Sequence, residues 1–366
     1  MHCLILTDKN HKSFIVTCKL RGLSLEKIKI SLDAMGGDNA PQIVVEGASE
    51  AKIRNPGLVF TFFGDEKKVL PIIKKYKNIE NSNFVHTLDY VKSNDRPSNI
   101  IRKGGNTSMA LSIKNVKENK SDAVVSAGNT GALMGFSKLF LRTMSGISRP
   151  AIAACFPTAK GEVCMLDLGA NLECDKNNLV QFALMGQAFA KIVIGLNSPK
   201  VALLNVGEEE IKGLEYIKEA SILLTKLKKI INYSGYIEGN QITNGMVDVI
   251  VTDGFTGNIA LKTAEGTANF VTNTLKKSFN SSFLSKLGYL MAKKSLQNFR
   301  SHMDPRKYNG AVFLGLNGIV VKSHGGIDSY GFANAICVAH DMVRYKFLNE
   351  LKPKLSISTE YLEKKI

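Results

Sequence analysis

The stretch Asp33-Ala34-Met35-Gly36-Gly37-Asp38-Asn39-Ala40-Pro41 limits what this chain can fold into more than any other. An alternating apolar run, Ile28-Lys29-Ile30-Ser31-Leu32, precedes it, and a helical pattern through Val44, Val45, Ala48 and Ile53 follows. That order predicts a strand, a tight turn and a helix start. Gly36 and Gly37 let the backbone pass close to a ligand and take φ > 0. Amides at the helix start would face an anion. Asp33 and Asp38 flank the turn, so a bare phosphate would meet negative charge there. A Lys or Arg from elsewhere is therefore expected to complete the site. For one such turn, aspartates capping an ordinary loop would be the plainer reading. Its recurrence changes that.

Short apolar runs at 28–32, 59–63, 84–87, 123–126, 152–156, 163–168, 201–206 and 249–252 read as strands, with helical patterns between several of them. Such alternation predicts an α/β fold with a mainly parallel sheet and helices on both faces. Five more glycine, asparagine or aspartate clusters follow strands or open helices. They are Ser126-Ala127-Gly128-Asn129-Thr130-Gly131-Ala132, Asp167-Leu168-Gly169-Ala170-Asn171 and Asn205-Val206-Gly207-Glu208-Glu209-Glu210-Ile211-Lys212-Gly213. Thr252-Asp253-Gly254-Phe255-Thr256-Gly257-Asn258 and His324-Gly325-Gly326-Ile327-Asp328-Ser329 complete the set. Gathered on one rim of the sheet, these turns would form a polar, backbone-lined cleft for an anion. Neither G-x-G-x-x-G after the first strand nor the P-loop pattern is present, and there is no G-x-S-x-G nucleophile elbow.

The 366 residues carry 48 Lys and Arg against 32 Asp and Glu, a net charge of +16, which favours acidic partners. Without Trp, and with 8% aromatic residues, the chain shows no stacking platform for nucleic acid. Cys3, Cys18, Cys155, Cys164, Cys174 and Cys337 form no CxxC pair and read as reduced thiols, mostly buried. The six His are scattered, and no spacing demands a metal. No apolar run is long enough to span a bilayer. Residues 1–26 read as an extension outside the fold, 27–346 as one domain, and 347–366 as a basic helical tail.

Taken together and in order, these blocks resemble the bacterial phosphate acyltransferase family, the acyl-acyl carrier protein:phosphate acyltransferases. The likeness extends over roughly residues 28–345, including the 308–314 stretch. Three departures stand out: Asn39 for a usual His, Asn309 for a usual Gly, and Gly326-Ile327 for Ser-Ser. The resemblance implies a three-layer α/β/α, Rossmann-like fold of the phosphotransacetylase and isocitrate dehydrogenase type. It implies transfer of a fatty acyl group from acyl carrier protein to inorganic phosphate. The acyl phosphate would feed a membrane glycerol-phosphate acyltransferase in phospholipid (phosphatidic acid) synthesis. It also implies a homodimer, cytoplasmic and peripherally attached to the inner face of the cell membrane, with no cofactor.

Phosphate is already a nucleophile and a thioester is already activated. The chemistry then reduces to holding phosphate beside the carbonyl and stabilising an oxyanion. Backbone amides and amide side chains suit both tasks. Gly36, Gly37, Gly128, Asn129, Thr130, Gly131, Asn171, Asn205, Gly254 and Asn258 are therefore the expected lining, joined by Ser126, Gly207 and Glu209. Lys212 is the leading cation for phosphate or oxyanion, ahead of a solvated surface charge. Lys262 either reaches the cleft or pairs with Glu265. His324 is either an acid or donor at the site or a packed histidine. Asp33, Asp38, Asp167 and Asp253 would repel phosphate and more plausibly orient its donors. Cys155, Cys164 and Cys174 have no helpful His nearby and read as core thiols.

Phe283, Leu284, Leu287, Leu290 and Met291 share one helical arc, with Lys286, Lys293 and Lys294 at its flank. Leu296, Phe299 and Met303 then shift to another side, so two helical pieces, or a bend near 293–295, are expected. Lys276, Lys277, Arg300, Arg306 and Lys307 extend the basic border, giving a helical tip at about 276–307. An apolar stripe edged by cations suits an anionic membrane or the acidic carrier; a core- or dimer-facing helix is the plain alternative. Two rival functions remain: a phosphotransacetylase-like enzyme using acyl-coenzyme A, and a non-catalytic basic membrane adaptor. The adaptor explains the charge but not the turns.

Overall fold

The computed structural model describes residues 26–302 and 304–363. The extension expected at 1–26 lies outside them except for Glu26, as do Cys3, Cys18 and Met303; the Arg300 side chain is likewise outside the description.

Eleven strands form one sheet: β1 (Ile28–Asp33), β2 (Leu58–Gly64), β3 (Asn83–His86), β4 (Ala123–Ser126), β5 (Ala151–Thr158), β6 (Gly161–Leu166), β7 (Val201–Leu204), β8 (Tyr233–Ile237), β9 (Val249–Val251), β10 (Ala311–Leu314) and β11 (Ile319–Lys322). Their order across the sheet is β3-β2-β1-β4-β11-β10-β5-β6-β9-β7-β8. Pairing is parallel at both flanks and antiparallel across β11-β10-β5-β6. Each expected strand exists. β8, β10 and β11 were not expected, being short and punctuated by glycine.

The helices are α1 (Gln42–Arg54), α2 (Glu66–Ile73), α3 (Pro97–Lys103), α4 (Ser108–Lys117), α5 (Thr130–Leu141), α6 (Lys176–Val193), α7 (Glu215–Lys226), α8 (Gly254–Asn280), α9 (Phe283–His302), α10 (Ser329–Arg344) and α11 (Phe347–Glu363). Strand alternation sorts the core into two sides. Ile30, Leu32, Val125, Val321, Leu166 and Val251 point to one face, covered by α1, α6, α7, α10 and α11. Val124, Val320, Phe313, Ile152, Met165 and Ile250 point to the other, where α4, α5 and the start of α8 pack. The result is a three-layer α/β/α unit. The helix expected at the end of the chain joins the first core through buried Phe347, Leu351 and Leu355.

α8 buries only Gly254 and Gly257 completely, with Ala260 and Leu261 packed on the sheet. Its 27 residues span about 40 Å, so most of the helix projects away. α9 returns alongside it, with the Phe279 and Tyr289 rings 5.6 Å apart. α9 is not divided into two pieces at 293–295: it is continuous from Phe283 to His302, and the break falls at Ser281–Ser282. Ser282 accepts from the Ser285 amide at 3.1 Å, a helix-start bond. No Gly or Pro interrupts 293–295, so the backbone ladder continues although the apolar side drifts.

If α11 is part of one cooperative unit, Leu351→Ala should cost about 2–5 kcal/mol in the single denaturant transition. A separate early transition for α11 would contradict this packing.

Candidate functional site

The pairing register locates the turns. Leu32 pairs with Val125, Val125 with Val321, Val321 with Val312, Val312 with Ala153, Ala153 with Leu166, and Leu166 with Val251. One row thus crosses the sheet. β1, β4 and β11 run one way and end one residue beyond it, at Asp33, Ser126 and Lys322. β6, β7 and β9 run the opposite way, and the chain leaves them at Asp167, Asn205 and Thr252. The turns therefore do not share one rim, as the sequence reading expected; they form two groups on either side of the row. The reversal arises at the central antiparallel strands, which sequence alternation did not reveal.

In the first group, Asp33, Ser126 and Lys322 stand side by side on the face that carries α5. The Ser108 and Ser126 hydroxyls donate to Asp33 at 2.6 and 2.7 Å, and the Met35 amide donates at 3.4 Å. Burial nevertheless outweighs these donors and raises the Asp33 pKa above its ordinary 3.8. The Gly128 amide donates to Ser126 Oγ at 3.0 Å. A Cβ on Gly36 would lie 2.5 Å from Asp33 Oδ2 and 2.8 Å from the Gly128 nitrogen, so the first two turns require glycine to approach this closely. Asn129 caps α5 by accepting from the Ala132 amide at 2.9 Å.

These turns border an open hollow of about 420 Å³, lined by Asp38, Ser93, Lys322, Gly325 and the 127–131 turn. Lys322 Nζ donates to the Ala127 carbonyl at 3.5 Å and to the Ser323 carbonyl. Burial lowers its pKa to about 8, against the pull of Asp38 and Asp33 and with a contribution from the Lys262 charge. Asn309 holds the adjoining turn. Its Nδ2 donates to Ser323 Oγ at 2.8 Å and to the Gly331 carbonyl at 2.7 Å, while its Oδ1 accepts from the His324 amide at 3.0 Å. The His324 ring is exposed, and its Nδ1 accepts from the Gly326 amide at 3.2 Å.

In the second group the aspartates are closely satisfied, whereas the buried Asn205 Oδ1 has no hydrogen-bond partner among the described residues. Asp167 Oδ1 accepts from the Ile152 and Ala170 amides at 2.9 and 3.0 Å. Its Oδ2 accepts from the Asn171 amide and side chain at 2.8 and 2.9 Å. Asp253 caps α8 through Thr256 and accepts from the Tyr216 hydroxyl at 3.1 Å. Asn205 Nδ2 donates to the Gly207 and Lys212 carbonyls, both at 3.1 Å, and holds that loop closed. Lys212 is exposed and pairs with Glu209 at 2.8 Å, which raises its pKa. Asn258 is exposed beside Gly169, and Lys262 pairs with Glu265 at 2.7 Å.

Residues 28–350 match the model of a family described as "Fatty acid synthesis protein". The phosphate acyltransferase of Rhodospirillum centenum is 53% identical over 90% of this chain and 94% of its own length. That of Paramagnetospirillum magneticum is 49% identical over 89% and 93%. The chain belongs to the phosphate acyltransferase family. It is an acyltransferase. Among solved structures, a phosphotransacetylase from Streptococcus pyogenes aligns with a TM-score of 0.59 at 16% identity, over 87% of this chain and 94% of its own. At that identity the likeness concerns the fold alone, the phosphotransacetylase type anticipated from the sequence.

Within this family member the first group gathers Asp33, Gly36, Gly37, Asp38, Ser126, Gly128, Asn129, Thr130, Gly131 and His324. Asp167, Asn171, Asn205, Gly207, Glu209, Lys212, Asp253, Gly254 and Asn258 form the other. Lys212 lies in the loop that follows β7, which stands five strands from β11 in the sheet order. Lys322 is a cation that stands beside the Asp33–Asp38 turn, and sequence reading did not name it. Its only local signal is a lysine ending Ile319-Val320-Val321 just before the Ser323-His324-Gly325 turn. Cys174 is pushed up to about 12 and Cys164 well above its ordinary value by burial, as expected of core thiols rather than nucleophiles.

Because the folded-state pKa of Asp33 is raised, its stabilising contribution is greatest when it is protonated and declines as pH rises through that folded value. Asn stays neutral. The unfolding free energy of Asp33→Asn relative to the parent should therefore climb from pH ~4 toward neutrality. A difference that stays flat in parallel denaturant titrations would refute the burial argument.

Proposed function

We propose that this chain transfers a fatty acyl group from acyl carrier protein to inorganic phosphate, giving acyl phosphate and free carrier thiol for phospholipid synthesis. The observation that carries the reading is the hollow lined by the 127–131 turn at the start of α5 and by Lys322. Uncharged amides and one cation suit a phosphate held as nucleophile. A polarised main-chain N–H beside it can receive the oxyanion formed when phosphate oxygen attacks the thioester carbon. Collapse then expels the thiolate, a good leaving group without prior protonation. Asp33 and Asp167 accept internal hydrogen bonds and act as organisers of the turns, while Asp38 stands exposed at the mouth.

Purified protein given fatty acyl-carrier protein should release thiol only when phosphate is added. Release from acyl-coenzyme A at an equal or higher kcat/KM would favour a phosphotransacetylase-like activity instead. Absence of phosphate-dependent release from either donor would end the proposal.

Lys212, Asn205 and Asn258 enter this reading on the side of the acyl donor, away from the phosphate hollow. Lys212→Ala should fold normally, because the side chain is exposed, and should raise KM for acyl-carrier protein while leaving KM for phosphate unchanged. A change confined to the phosphate KM would return Lys212 to the phosphate.

The α8–α9 hairpin is assigned to an anionic membrane surface. Leu284, Leu290 and Met291 are 76%, 63% and 85% exposed, beside Lys286, Lys293 and Lys294. Among the described residues no helix is long and apolar enough to cross a membrane. The reading is therefore one of attachment, in a homodimer that delivers acyl phosphate to a membrane glycerol-phosphate acyltransferase. Replacing Lys286, Lys293 and Lys294 with Glu should abolish co-sedimentation with phosphatidylglycerol vesicles; undiminished binding would exclude the surface.

A further inference from the structure

We propose that Lys322 is the catalytic residue that grips the nucleophilic phosphate. The inference deepens the acyl-transfer reading and rests on it. Three observations converge on this side chain. Register is the first: Lys322 pairs with Ser126 on one side and Ala311 on the other, at the level where β1, β4 and β11 end. Its position is thus set by the sheet rather than by a loop. Donor count is the second. An ammonium has three N–H groups, and two donate to the Ala127 and Ser323 carbonyls at the back of the hollow. One N–H is left for a ligand.

The third is the charge around it. The charged groups facing Lys322 are Asp33 and Asp38 from the β1 turn and Lys262 from α8. Asp33 already accepts from two hydroxyls and an amide, and Asp38 sits at the exposed mouth. Neither carboxylate is recorded within hydrogen-bond reach of Nζ; the ammonium's direct partners are carbonyls. A phosphate oxygen entering the hollow would give this cation a direct anionic partner and meet the start of α5 at the same time. Lys262, paired with Glu265, is the other cation on this face. Lowered by burial to about 8, Lys322 is mostly charged at neutral pH and loses its proton just above it. Phosphate affinity should therefore fall as pH rises through that value.

The shared chemistry is a phosphate group, which could come from inorganic phosphate or from the phosphodiester of a carrier's prosthetic arm. Lys322→Met removes the charge and keeps most of the length; Lys322→Arg keeps the charge at all accessible pH values. With Lys322→Met, KM for inorganic phosphate should rise roughly ten- to a hundredfold while KM for acyl-carrier protein stays put. Between pH 7 and 9 the parent's phosphate KM should climb, and that of Lys322→Arg should stay nearly flat. Phosphorus NMR line broadening of inorganic phosphate by the protein should be lost in Lys322→Met. Dimethyl phosphate, a phosphodiester probe, should be broadened by neither protein.

An unchanged phosphate KM with undiminished broadening in Lys322→Met would overturn the proposal. So would a change confined to the carrier KM, or equal pH dependence in parent and Lys322→Arg. The NMR arm needs no turnover. If the parent binds phosphate through Lys322 yet releases no thiol, the acyl-transfer reading fails and the phosphate site stands.

Discussion

A cation and two carboxylates gathered at the end of a sheet must each be satisfied, or burial will drive them to neutrality. Here the register of β1, β4 and β11 sets Asp33, Ser126 and Lys322 in one rank. Hydroxyls from Ser108 and Ser126 occupy Asp33, so this carboxylate makes no recorded direct contact with Lys322. The lysine turns to main-chain carbonyls and keeps a donor for the hollow. Much of the surrounding structure serves this arrangement. Gly36 lets the first turn touch the second, Asn129 starts α5, and Asn309 pins the turn beyond Lys322.

The same sheet keeps a second set of turns apart from the first. Antiparallel pairing across β11-β10-β5-β6 reverses the strand direction, so carboxyl ends open on both sides of a single row. Asp167 and Asp253 accept several hydrogen bonds each and read as fixed scaffolding. α8 starts in this second group, and Lys262, one turn past Asn258, is near enough to the first to influence Lys322. The helix therefore links the two groups of turns before it leaves the sheet and becomes the exposed hairpin with α9.

Much of this was legible in the chain itself. Alternating runs located strands such as Ile28–Asp33, and the glycines after them located the turns. Aspartates flanking the first turn announced that a cation was missing. Short strands escaped because four residues such as Ile319–Lys322 carry too little periodicity to stand out from a loop. Lys322 escaped with them: a lysine ending an apolar run looks like a charge entering solvent. The division into two pieces expected at 293–295 failed for a related reason. The drift of its apolar positions described exposure, whereas backbone continuity depends on Gly, Pro and capping groups.

The sequence by itself determined the α/β class, the family, the turn chemistry and the need for a cation beside Asp33 and Asp38, because each follows from local propensity or from motifs read in order. Tertiary structure alone decided which turns meet, that Lys322 stands beside Asp33 and Asp38, and that α11 packs against the core. Strand direction and register are long-range pairings. No local run of residues encodes which neighbour a strand will find, and a shift of one residue would turn Lys322 to the opposite face.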